Sequence, residues 1–215
     1  MNLTQREKKF AETNIYPVIT PEFCAGRSPL DVLESVLKGG AKIVQLRDKA
    51  DPERYASAFR KTSDKYGALL MINDSVDLAL RYNADGVHLG KTDLSVAEAR
   101  KRAPELLIGA SAHNLEEALA AQEAGASYVN IGPIFPTRTK PGVKTFLGVQ
   151  SIREIAPHLR IPFTVMGGIK LDNIRKVLKA GARHIAMITA ITQAEDVEGT
   201  TREFIKLIEG RSKTA

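Results

Sequence analysis

The chain has 215 residues and a mass of 23.5 kDa, and 43% of its residues are hydrophobic and 26% charged. These values are ordinary for a folded protein and exclude disorder along the whole chain. The single cysteine, Cys24, excludes a disulfide framework and a cysteine-rich zinc site. No apolar run reaches the ~18 residues of a membrane helix, and residues 1–10 are too polar for a secretory signal. We therefore expect a protein of the reducing cytoplasm without a membrane partner.

Basic residues outnumber acidic ones, 31 to 25, which gives a formal net charge of +6 and an isoelectric point near 9.4. A value this high raises nucleic acid as a partner, and such binding would weaken steeply with added salt. The lysines and arginines are, however, spread through the predicted helices and both ends, and the chain has no tryptophan. We therefore expect no nucleic-acid partner, but a solvated basic surface together with a small anion site.

Eight short runs rich in aliphatic and β-branched residues predict eight strands, at 16–20, 43–47, 69–73, 86–89, 107–111, 128–131, 163–166 and 184–187. Amphipathic stretches between them predict helices. Ser28-Pro29 and Asp51-Pro52 each place a capping residue before a proline, and Asn114 precedes an apolar stripe. Strand and helix thus alternate from one end of the chain to the other.

A Gly-Ala pair recurs where a helix is predicted to end and a strand to begin, at 40–41, 67–68, 125–126 and 181–182. Such alternation implies parallel strands joined by right-handed crossovers, and eight units favour an α/β fold of one closed (β/α)8 TIM barrel. We assign 1–215 to this single domain, with 1–14 as an N-terminal segment and 210–215 as a C-terminal tail. An open doubly wound sheet is the alternative, although no GxGxxG motif follows the first predicted strand.

The second predicted strand runs into polar residues that a barrel core does not explain. Alternation places Gln45, Arg47 and Lys49 on one face, at the strand end where such barrels carry their reactive groups. Cations in a partly buried mouth need an anion to meet them, so this face predicts an anionic ligand. Ion pairing with Asp48 or Asp74 is the alternative.

Two aspartates follow the third and fourth predicted strands. Asp74 and Asp93 would lie beside the cations of the second strand and are suited to Mg²⁺, which usually takes one or two carboxylates together with water and substrate phosphate. Alternatively, Asp74 caps a helix that starts at Ser75, and Asp93 caps one that starts at Ser95.

The fifth predicted strand ends at Ser111, which is placed to hydrogen-bond a heterocycle. His88 and His113 are candidate acid–base groups. Because a histidine inside a barrel is more often a hydrogen-bonded core residue, we assign neither of them to catalysis.

Two later segments predict phosphate binding. After the sixth strand, Thr137, Thr139 and Lys140 lie in a proline-containing loop, which predicts an element that closes on substrate, with a solvated surface loop as the alternative. A Gly-Gly pair ending at Gly168 follows the seventh strand and Thr189 follows the eighth, where barrels of this kind commonly bind phosphate. Two anion sites imply two phosphorylated substrates, or one substrate with phosphates at both ends.

Together these motifs resemble those of the thiamine phosphate synthase family. The matching pieces run in order from the second strand to the eighth: Gln45-Leu46-Arg47-Asp48-Lys49, Asn73-Asp74, Asp85-Gly86-Val87-His88-Leu89-Gly90 with Asp93, Gly109-Ala110-Ser111-Ala112-His113, Gly132-Pro133-Ile134-Phe135-Pro136-Thr137 with Thr139-Lys140, Gly167-Gly168-Ile169 and Met187-Ile188-Thr189. Each piece is weak alone, but their order over most of the chain is specific.

The resemblance implies a transferase of thiamine biosynthesis, in which a thiazole phosphate displaces pyrophosphate from a hydroxymethylpyrimidine diphosphate through a pyrimidine carbocation. It implies that the pyrimidine diphosphate contacts Gln45, Leu46, Arg47, Asp48, Lys49, Asn73, Ser111 and Lys140. The catalytic groups among these are Arg47, Lys49 and Lys140, which stabilise the leaving group. Mg²⁺ is implied on Asp74 and Asp93. The implied contacts of the thiazole phosphate are Thr137, Arg138, Thr139, Gly168, Ile188 and Thr189. The partners would be small molecules, and a homo-oligomer is left open.

The chain departs from the family pattern at two places. Lys91-Thr92 stands where the family usually has Gln-Glu or a similar pair before the second metal aspartate, and a cation there would weaken metal binding. Pro21 stands where the family often has an aspartate. A related thiazole tautomerase is one alternative, although that branch lacks the Gln-Leu-Arg-Asp-Lys and Thr-x-Thr-Lys motifs. A phosphosugar isomerase barrel is another, and it would need a clear acid–base pair.

Overall fold

The computed structural model describes residues 1–139 and 145–210. Eight parallel strands pair in chain order, and the eighth pairs with the first, so the sheet closes into a barrel. The strands are β1 Ile15–Ile19, β2 Ile43–Leu46, β3 Leu69–Asn73, β4 Gly86–Leu89, β5 Leu107–Ala112, β6 Tyr128–Ile131, β7 Phe163–Val165 and β8 His184–Met187. The predicted (β/α)8 barrel is confirmed. An open sheet is excluded because Tyr16 of β1 lies in register with Ala186 of β8.

The predicted strands at 69–73, 86–89, 128–131 and 184–187 have the observed bounds. The first differs by one residue at both ends, and the other three differ by one residue at one end. No helix within 1–139 and 145–210 is long and apolar enough to cross a membrane. The assignment of 1–215 to one domain stays a prediction, because 140–144 and 211–215 lie outside the described residues.

Helices precede and follow the strands. They are α1 Leu3–Ala11, α2 Pro29–Lys38, α3 Ala56–Lys65, α4 Val76–Arg81, α5 Val96–Arg102, α6 Leu115–Glu123, α7 Gln150–Ile155, α8 Ile174–Lys179, α9 Thr189–Thr192 and α10 Val197–Glu209. Ser28 and Asn114 cap α2 and α6 as predicted, since their side chains accept hydrogen bonds from backbone amides of the first turn. The helix start at Asp51-Pro52 is wrong. Asp51 accepts from the amide of Arg54 in a turn, and α3 begins only at Ala56.

The four glycines of the Gly-Ala pairs all have positive φ, as a left-handed helix end requires. Their values are +102°, +63°, +95° and +107°, at Gly40, Gly67, Gly125 and Gly181. Residues with a Cβ adopt this conformation at a cost of roughly 1–2 kcal/mol, which glycine avoids. Each helix can therefore end and reverse direction within one or two residues of the next strand.

Apolar side chains form two layers, a larger one between strands and helices and a smaller one inside the barrel. The buried members of the inner layer are Phe10, Tyr16, Ile43, Leu69, Met71, Leu107, Tyr128 and Ala186. Phe10 belongs to α1, and its ring stacks on Tyr128 with the two centroids 4.6 Å apart. The N-terminal helix therefore closes the end of the barrel at which the strands begin. The polar character of residues 1–10 did not indicate this role.

A buried carboxylate holds α1 in this position. Arg6 of α1 lies with its Nε 3.5 Å from Asp85, and Arg60 of α3 donates to the same carboxylate at 2.8 Å. Asp85 also accepts from the amide of Leu70 at 2.9 Å. Two guanidinium groups and an amide thus satisfy a charge that would be unfavourable alone in the core.

The closure of the barrel by Phe10 predicts a large effect of truncation there. Phe10→Ala is expected to lower the free energy of unfolding by about 3–5 kcal/mol, because the ring is fully buried and its removal leaves a cavity. Urea unfolding followed by circular dichroism measures this loss. Phe146→Ala is the control, since Phe146 is 36% exposed and the loss there is expected to stay below ~1 kcal/mol. Equal losses in the two variants would contradict the closing role of Phe10.

Candidate active site

A cavity of about 610 Å³ opens at the C-terminal ends of the strands. Each of the eight strands contributes to its lining, and the polar residues that the strands place there are Gln45, Asn73, His88, Ser111, Asn130 and Thr164. The size lies in the range of small-molecule sites, and the position is the one at which such barrels carry their reactive groups. The mouth predicted from the sequence is therefore a single shared cavity.

The polar face of β2 lies in this cavity. Gln45 is buried, while Arg47 is half-buried and Lys49 is exposed at the rim. Lys49 forms an ion pair with Asp74, so the pairing that the sequence left open is found for the lysine. Within the described part of the chain, the Arg47 guanidinium has no carboxylate partner, which leaves its charge available to an anion in the cavity.

Two residues of the same motif do not line the cavity. Leu46 points the opposite way and packs in the outer layer between strands and helices. Asp48 is buried, and its carboxylate accepts from the amides of Ala50 and Asp51, which fixes the turn after β2. Leu46 therefore contributes to the packing against the helices, and Asp48 stabilises the turn. Neither side chain is placed to contact a ligand in the cavity.

Asp74 and Asp93 both lie in the cavity, and neither caps a helix. Ser75 and Ser95 cap α4 and α5 with their own side chains, so the capping alternative is wrong for both aspartates. Burial raises the pKa of the Asp74 carboxyl, the hydrogen bond from Lys49 opposes this, and the hydrogen-bonded carboxyl of Asp93 adds to it. Asp93 is further oriented by the amide of Gly90 at 2.7 Å. The two carboxyl groups therefore form a close pair.

The donor set of this pair fits Mg²⁺. The nearby carboxyl of Asp93 raises the pKa of Asp74, and a cation between the two groups would relieve this repulsion. Mg²⁺ is commonly held by one or two carboxylates with substrate phosphate completing its shell. Among residues 1–139 and 145–210, no group of three or more histidine, cysteine, aspartate and glutamate side chains could enclose a metal alone. Because two carboxylates fill only part of the shell of Mg²⁺, the pair fits a cation that shares its ligands with a substrate.

Lys91, the departure from the family pattern, is held away from the carboxylate pair. Its Nζ donates to Glu117 at 3.0 Å, and the same carboxylate lies 2.8 Å from His113 Nδ1. Burial opposes ionisation of Glu117, but the hydrogen bonds from Lys91 and His113 outweigh it and lower the pKa to about 2. Glu117 thus compensates a charge that would otherwise compete with a metal.

Side chains at the bottom of the cavity are linked by hydrogen bonds. His88 Nδ1 lies 3.1 Å from the Tyr128 hydroxyl, and its Nε2 lies 3.0 Å from Ser111 Oγ. Thr164 donates to Asn130 at 2.8 Å, and both are buried. Sequence reasoning missed Asn130 and Thr164 as cavity residues. The signal that was available is a polar side chain in the middle of an otherwise apolar strand.

The segments after β7 and β8 bring the predicted phosphate residues together. Gly168, Ile188 and Thr189 all line the cavity. Gly168 has a φ of +64°, and a Cβ there would lie 2.4 Å from the carbonyl oxygen of Pro136. The glycine is therefore also needed for close packing against the loop after β6.

That loop carries the remaining predicted contacts. Thr137 and Thr139 line the cavity, with their hydroxyls 3.0 Å apart, whereas Arg138 is exposed and lies outside the lining. Lys140 falls in 140–144, outside the described residues, and its role stays a prediction. The closing movement predicted for this loop also stays a prediction.

The fold and the site define a (β/α)8 barrel whose mouth carries cations and a carboxylate pair. The chain belongs to the thiamine monophosphate synthase family, whose model matches residues 15–191. The resemblance drawn from the motifs is thereby confirmed.

Individual relatives agree with this assignment. A thiamine-phosphate synthase from Shouchella clausii (strain KSM-K16) is 40% identical and covers 93% of this chain and 98% of its own length. One from Pyrococcus horikoshii is 43% identical over 82% of this chain and 87% of its own. The solved structure of thiamine phosphate pyrophosphorylase from Pyrococcus furiosus superposes with a TM-score of 0.84 at 36% identity, over 96% and 98% of the two chains. A 3-hexulose-6-phosphate synthase, 19% identical with a TM-score of 0.65, shares the fold alone.

The contacts of Glu117 predict a pH-dependent contribution to stability. Its folded pKa lies below the ordinary 4.5, so its stabilising effect is present above pH 4.5 and is lost as the pH falls through about 2. Glu117→Gln is expected to be about 1–2 kcal/mol less stable at pH 7, with the difference from wild type shrinking below pH 4.5. Urea unfolding between pH 7 and pH 3 measures it.

Glu116→Gln is the matched control, because Glu116 is an exposed acid in the same helical turn. We expect no comparable difference from wild type there at any pH. A gap between Glu117→Gln and wild type that stays constant down to pH 3 would contradict the assignment.

Proposed function

We propose that this chain is a thiamine phosphate synthase, a transferase that joins a pyrimidinylmethyl group to the nitrogen of a thiazole phosphate and releases pyrophosphate. One observation carries the proposal. Arg47, which lacks a carboxylate partner among the described residues, shares a cavity with the Asp74–Asp93 pair and with the glycine backbone at Gly168. These are the parts needed for a diphosphate leaving group and a separate monophosphate, and the family relatives carry the corresponding name.

The pyrimidine diphosphate is proposed to lie along β2, β3 and β5. Arg47 and Lys49 supply positive charge to the diphosphate, and Asn73 adds an amide on the neighbouring strand. Lys140 is proposed as a third cation from the loop after β6. Gln45 and Ser111 line the interior of the cavity, where the ring would lie.

Asp74 and Asp93 would hold Mg²⁺ at the diphosphate. When bound, the ion neutralises negative charge and makes pyrophosphate a better leaving group. Lys49 forms an ion pair with Asp74. Binding of the diphosphate is expected to draw Lys49 from Asp74 toward the new anion, because a phosphate oxygen offers it a stronger partner.

The thiazole phosphate is proposed to bind Gly168, Ile188 and Thr189, with Thr137 and Thr139 closing over it. We leave Arg138 out of this set because its side chain lies outside the cavity lining. Backbone amides beside glycine and hydroxyl groups suit a phosphate monoester, which accepts hydrogen bonds from every side.

The reaction needs electrostatic stabilisation more than proton transfer. The bond between the pyrimidine methylene carbon and the diphosphate oxygen breaks, and its electron pair leaves with pyrophosphate. The ring nitrogen of the thiazole then gives its lone pair to the carbocation, so no proton has to be removed from the nucleophile. Fixed cations such as Arg47 stabilise the developing negative charge. The engagement of His88 and His113 in hydrogen bonds to protein groups is consistent with a mechanism that uses no general base.

The alternatives fit less well. A thiazole tautomerase has no support from the relatives, and a phosphosugar isomerase would need an acid–base pair poised toward a substrate carbon. We also propose that the partners are small molecules and that the enzyme works in the cytoplasm, to which the free, buried Cys24 is suited.

Release of pyrophosphate tests the function directly. The purified protein is expected to form thiamine phosphate and pyrophosphate in equal amounts when both substrates and Mg²⁺ are supplied. Omission of either substrate, or addition of EDTA, is expected to stop the release. A pyrophosphatase-coupled phosphate assay and chromatography of the product measure it. No release with both substrates and Mg²⁺ would refute the synthase assignment.

Asp93→Asn tests the metal site. Asparagine keeps an oxygen for the amide of Gly90 but removes the charge, so turnover is expected to fall on the order of 100-fold, with more Mg²⁺ needed for half-maximal rate. The melting temperature is expected to stay equal or rise, because repulsion with Asp74 is relieved. Asp31→Asn, an exposed aspartate in the first turn of α2, is the control. A lower melting temperature with unchanged Mg²⁺ dependence would indicate a structural role instead.

A further inference from the structure

A chain of hydrogen bonds crosses the inside of the barrel beneath the cavity. Gln45 Nε2 donates to the Tyr16 hydroxyl at 2.8 Å, and this hydroxyl lies 3.1 Å from the hydroxyl of Tyr128. The Tyr128 hydroxyl lies 3.1 Å from His88 Nδ1, and His88 Nε2 lies 3.0 Å from Ser111 Oγ. Four links thus connect five side chains, which come from β2, β1, β6, β4 and β5 in turn.

The direction of this chain follows from the protons that each group carries. An amide nitrogen only donates, and a phenol has one proton to give. Tyr16 accepts from Gln45, and Tyr128 is its acceptor within the described part of the chain, so Tyr16 donates to Tyr128. The proton of Tyr128 is then left for His88 Nδ1. With Gln45 in this orientation, reversing a link leaves a buried hydroxyl proton without an acceptor, which is unfavourable.

The same count of donors and acceptors determines which ring nitrogen of His88 carries the proton. An imidazole nitrogen that accepts a hydrogen bond is unprotonated, so neutral His88 carries its proton on Nε2. That proton is donated to Ser111 Oγ. The hydroxyl proton of Ser111 is then directed to the cavity that this residue lines.

We propose that Tyr16 and Tyr128 are positioning residues that fix the tautomer of His88, and that His88 thereby makes Ser111 a hydrogen-bond donor toward the ligand. The ligand that this donor selects is a heteroaromatic ring with an unprotonated nitrogen. Identifying that ring with the pyrimidine rests on the proposed function. The opposite tautomer would leave Ser111 as an acceptor and would select an N–H group instead.

The chain of hydrogen bonds from Gln45 to Ser111, called the relay below, requires a fixed position of the Tyr128 hydroxyl. The ring of Tyr128 is held from two sides. Phe10 of α1 stacks beneath it at an interplanar angle of 21°. Beside it lies Gly109, at which a Cβ would be 2.2 Å from Tyr128 Cζ. Both contacts restrict the phenol to a position from which its hydroxyl meets His88. The helix that closes the barrel from below therefore also supports the cavity floor.

Both phenols keep their protons under ordinary conditions. Burial raises the pKa of Tyr16, and burial followed by the neighbouring Tyr16 raises the pKa of Tyr128. The two phenols therefore take part in the relay as neutral groups that can donate.

The tautomer of His88 is measurable in the free protein. Long-range ¹H–¹⁵N spectra of the full chain labelled with ¹⁵N-histidine give the protonation of both ring nitrogens for each of the 4 histidines. The spectrum of a His88→Gln variant identifies the signals of His88. We expect a protonated Nε2 and an unprotonated Nδ1, and a protonated Nδ1 would overturn the proposal.

Tyr128→Phe and Tyr16→Phe break the relay at two places while keeping the rings. We expect Tyr128→Phe to convert His88 to a mixture of tautomers and to raise KM for the pyrimidine diphosphate about three- to tenfold, with KM for the thiazole phosphate unchanged. Tyr16→Phe is expected to act in the same direction but less strongly. Tyr82→Phe is the control, because its hydroxyl binds Glu53 on the exposed surface.

The two readouts separate this proposal from the proposed function. An unchanged His88 tautomer in Tyr128→Phe overturns the relay, and so does an equal rise in both KM values. If the wild-type protein shows no synthase activity, the proposed function fails. The spectra then decide the relay on their own.

Discussion

The pairing of β8 with β1 is the constraint on which the rest of the structure depends. It closes eight parallel strands, so all of their C-terminal ends meet around one cavity. Residues as distant in the chain as Gln45 and Thr189 therefore line the same cavity. Parallel strands covered by helices on the outside leave the mouth as the natural place for polar side chains. One backbone contact thus turns motifs spread over the chain into a single site.

Two of the lysines that line the mouth form ion pairs with carboxylates. Lys49 pairs with Asp74, and Lys91 pairs with Glu117. Arg47 lacks such a partner within the described residues, and its guanidinium is suited to bind two phosphate oxygens at once. The pairing of Lys91 with Glu117 explains how a lysine can stand two residues before Asp93, the aspartate proposed to hold Mg²⁺. Its charge is bound elsewhere, and Asp74 and Asp93 keep the mutual proximity that favours a divalent cation.

A network of hydrogen-bonded polar side chains crosses the otherwise apolar interior of the barrel. Hydrogen bonds link Gln45, Tyr16, Tyr128, His88 and Ser111, and the ring of Tyr128 stacks on Phe10 from α1. Buried groups that satisfy one another are rigid, so they can present a ligand with donors and acceptors of fixed direction. The thiazole nitrogen proposed as the nucleophile already has a lone pair. The proposed reaction therefore depends on fixed positions of the substrates rather than on a general base.

The sequence by itself determined the strand order, the barrel and the family, because β-branched runs, glycine at helix ends and the Gln-Leu-Arg-Asp-Lys motif are local patterns. It also placed Arg47, Asp74 and Gly168 at strand ends. Only the tertiary structure decided that Asp48 fixes the turn after β2, that Glu117 binds Lys91, and that Phe10 and Tyr128 meet inside the barrel. Contacts between segments that are distant in the chain form only when the sheet closes. Local sequence patterns indicate the barrel, but they do not encode which side chains meet within it.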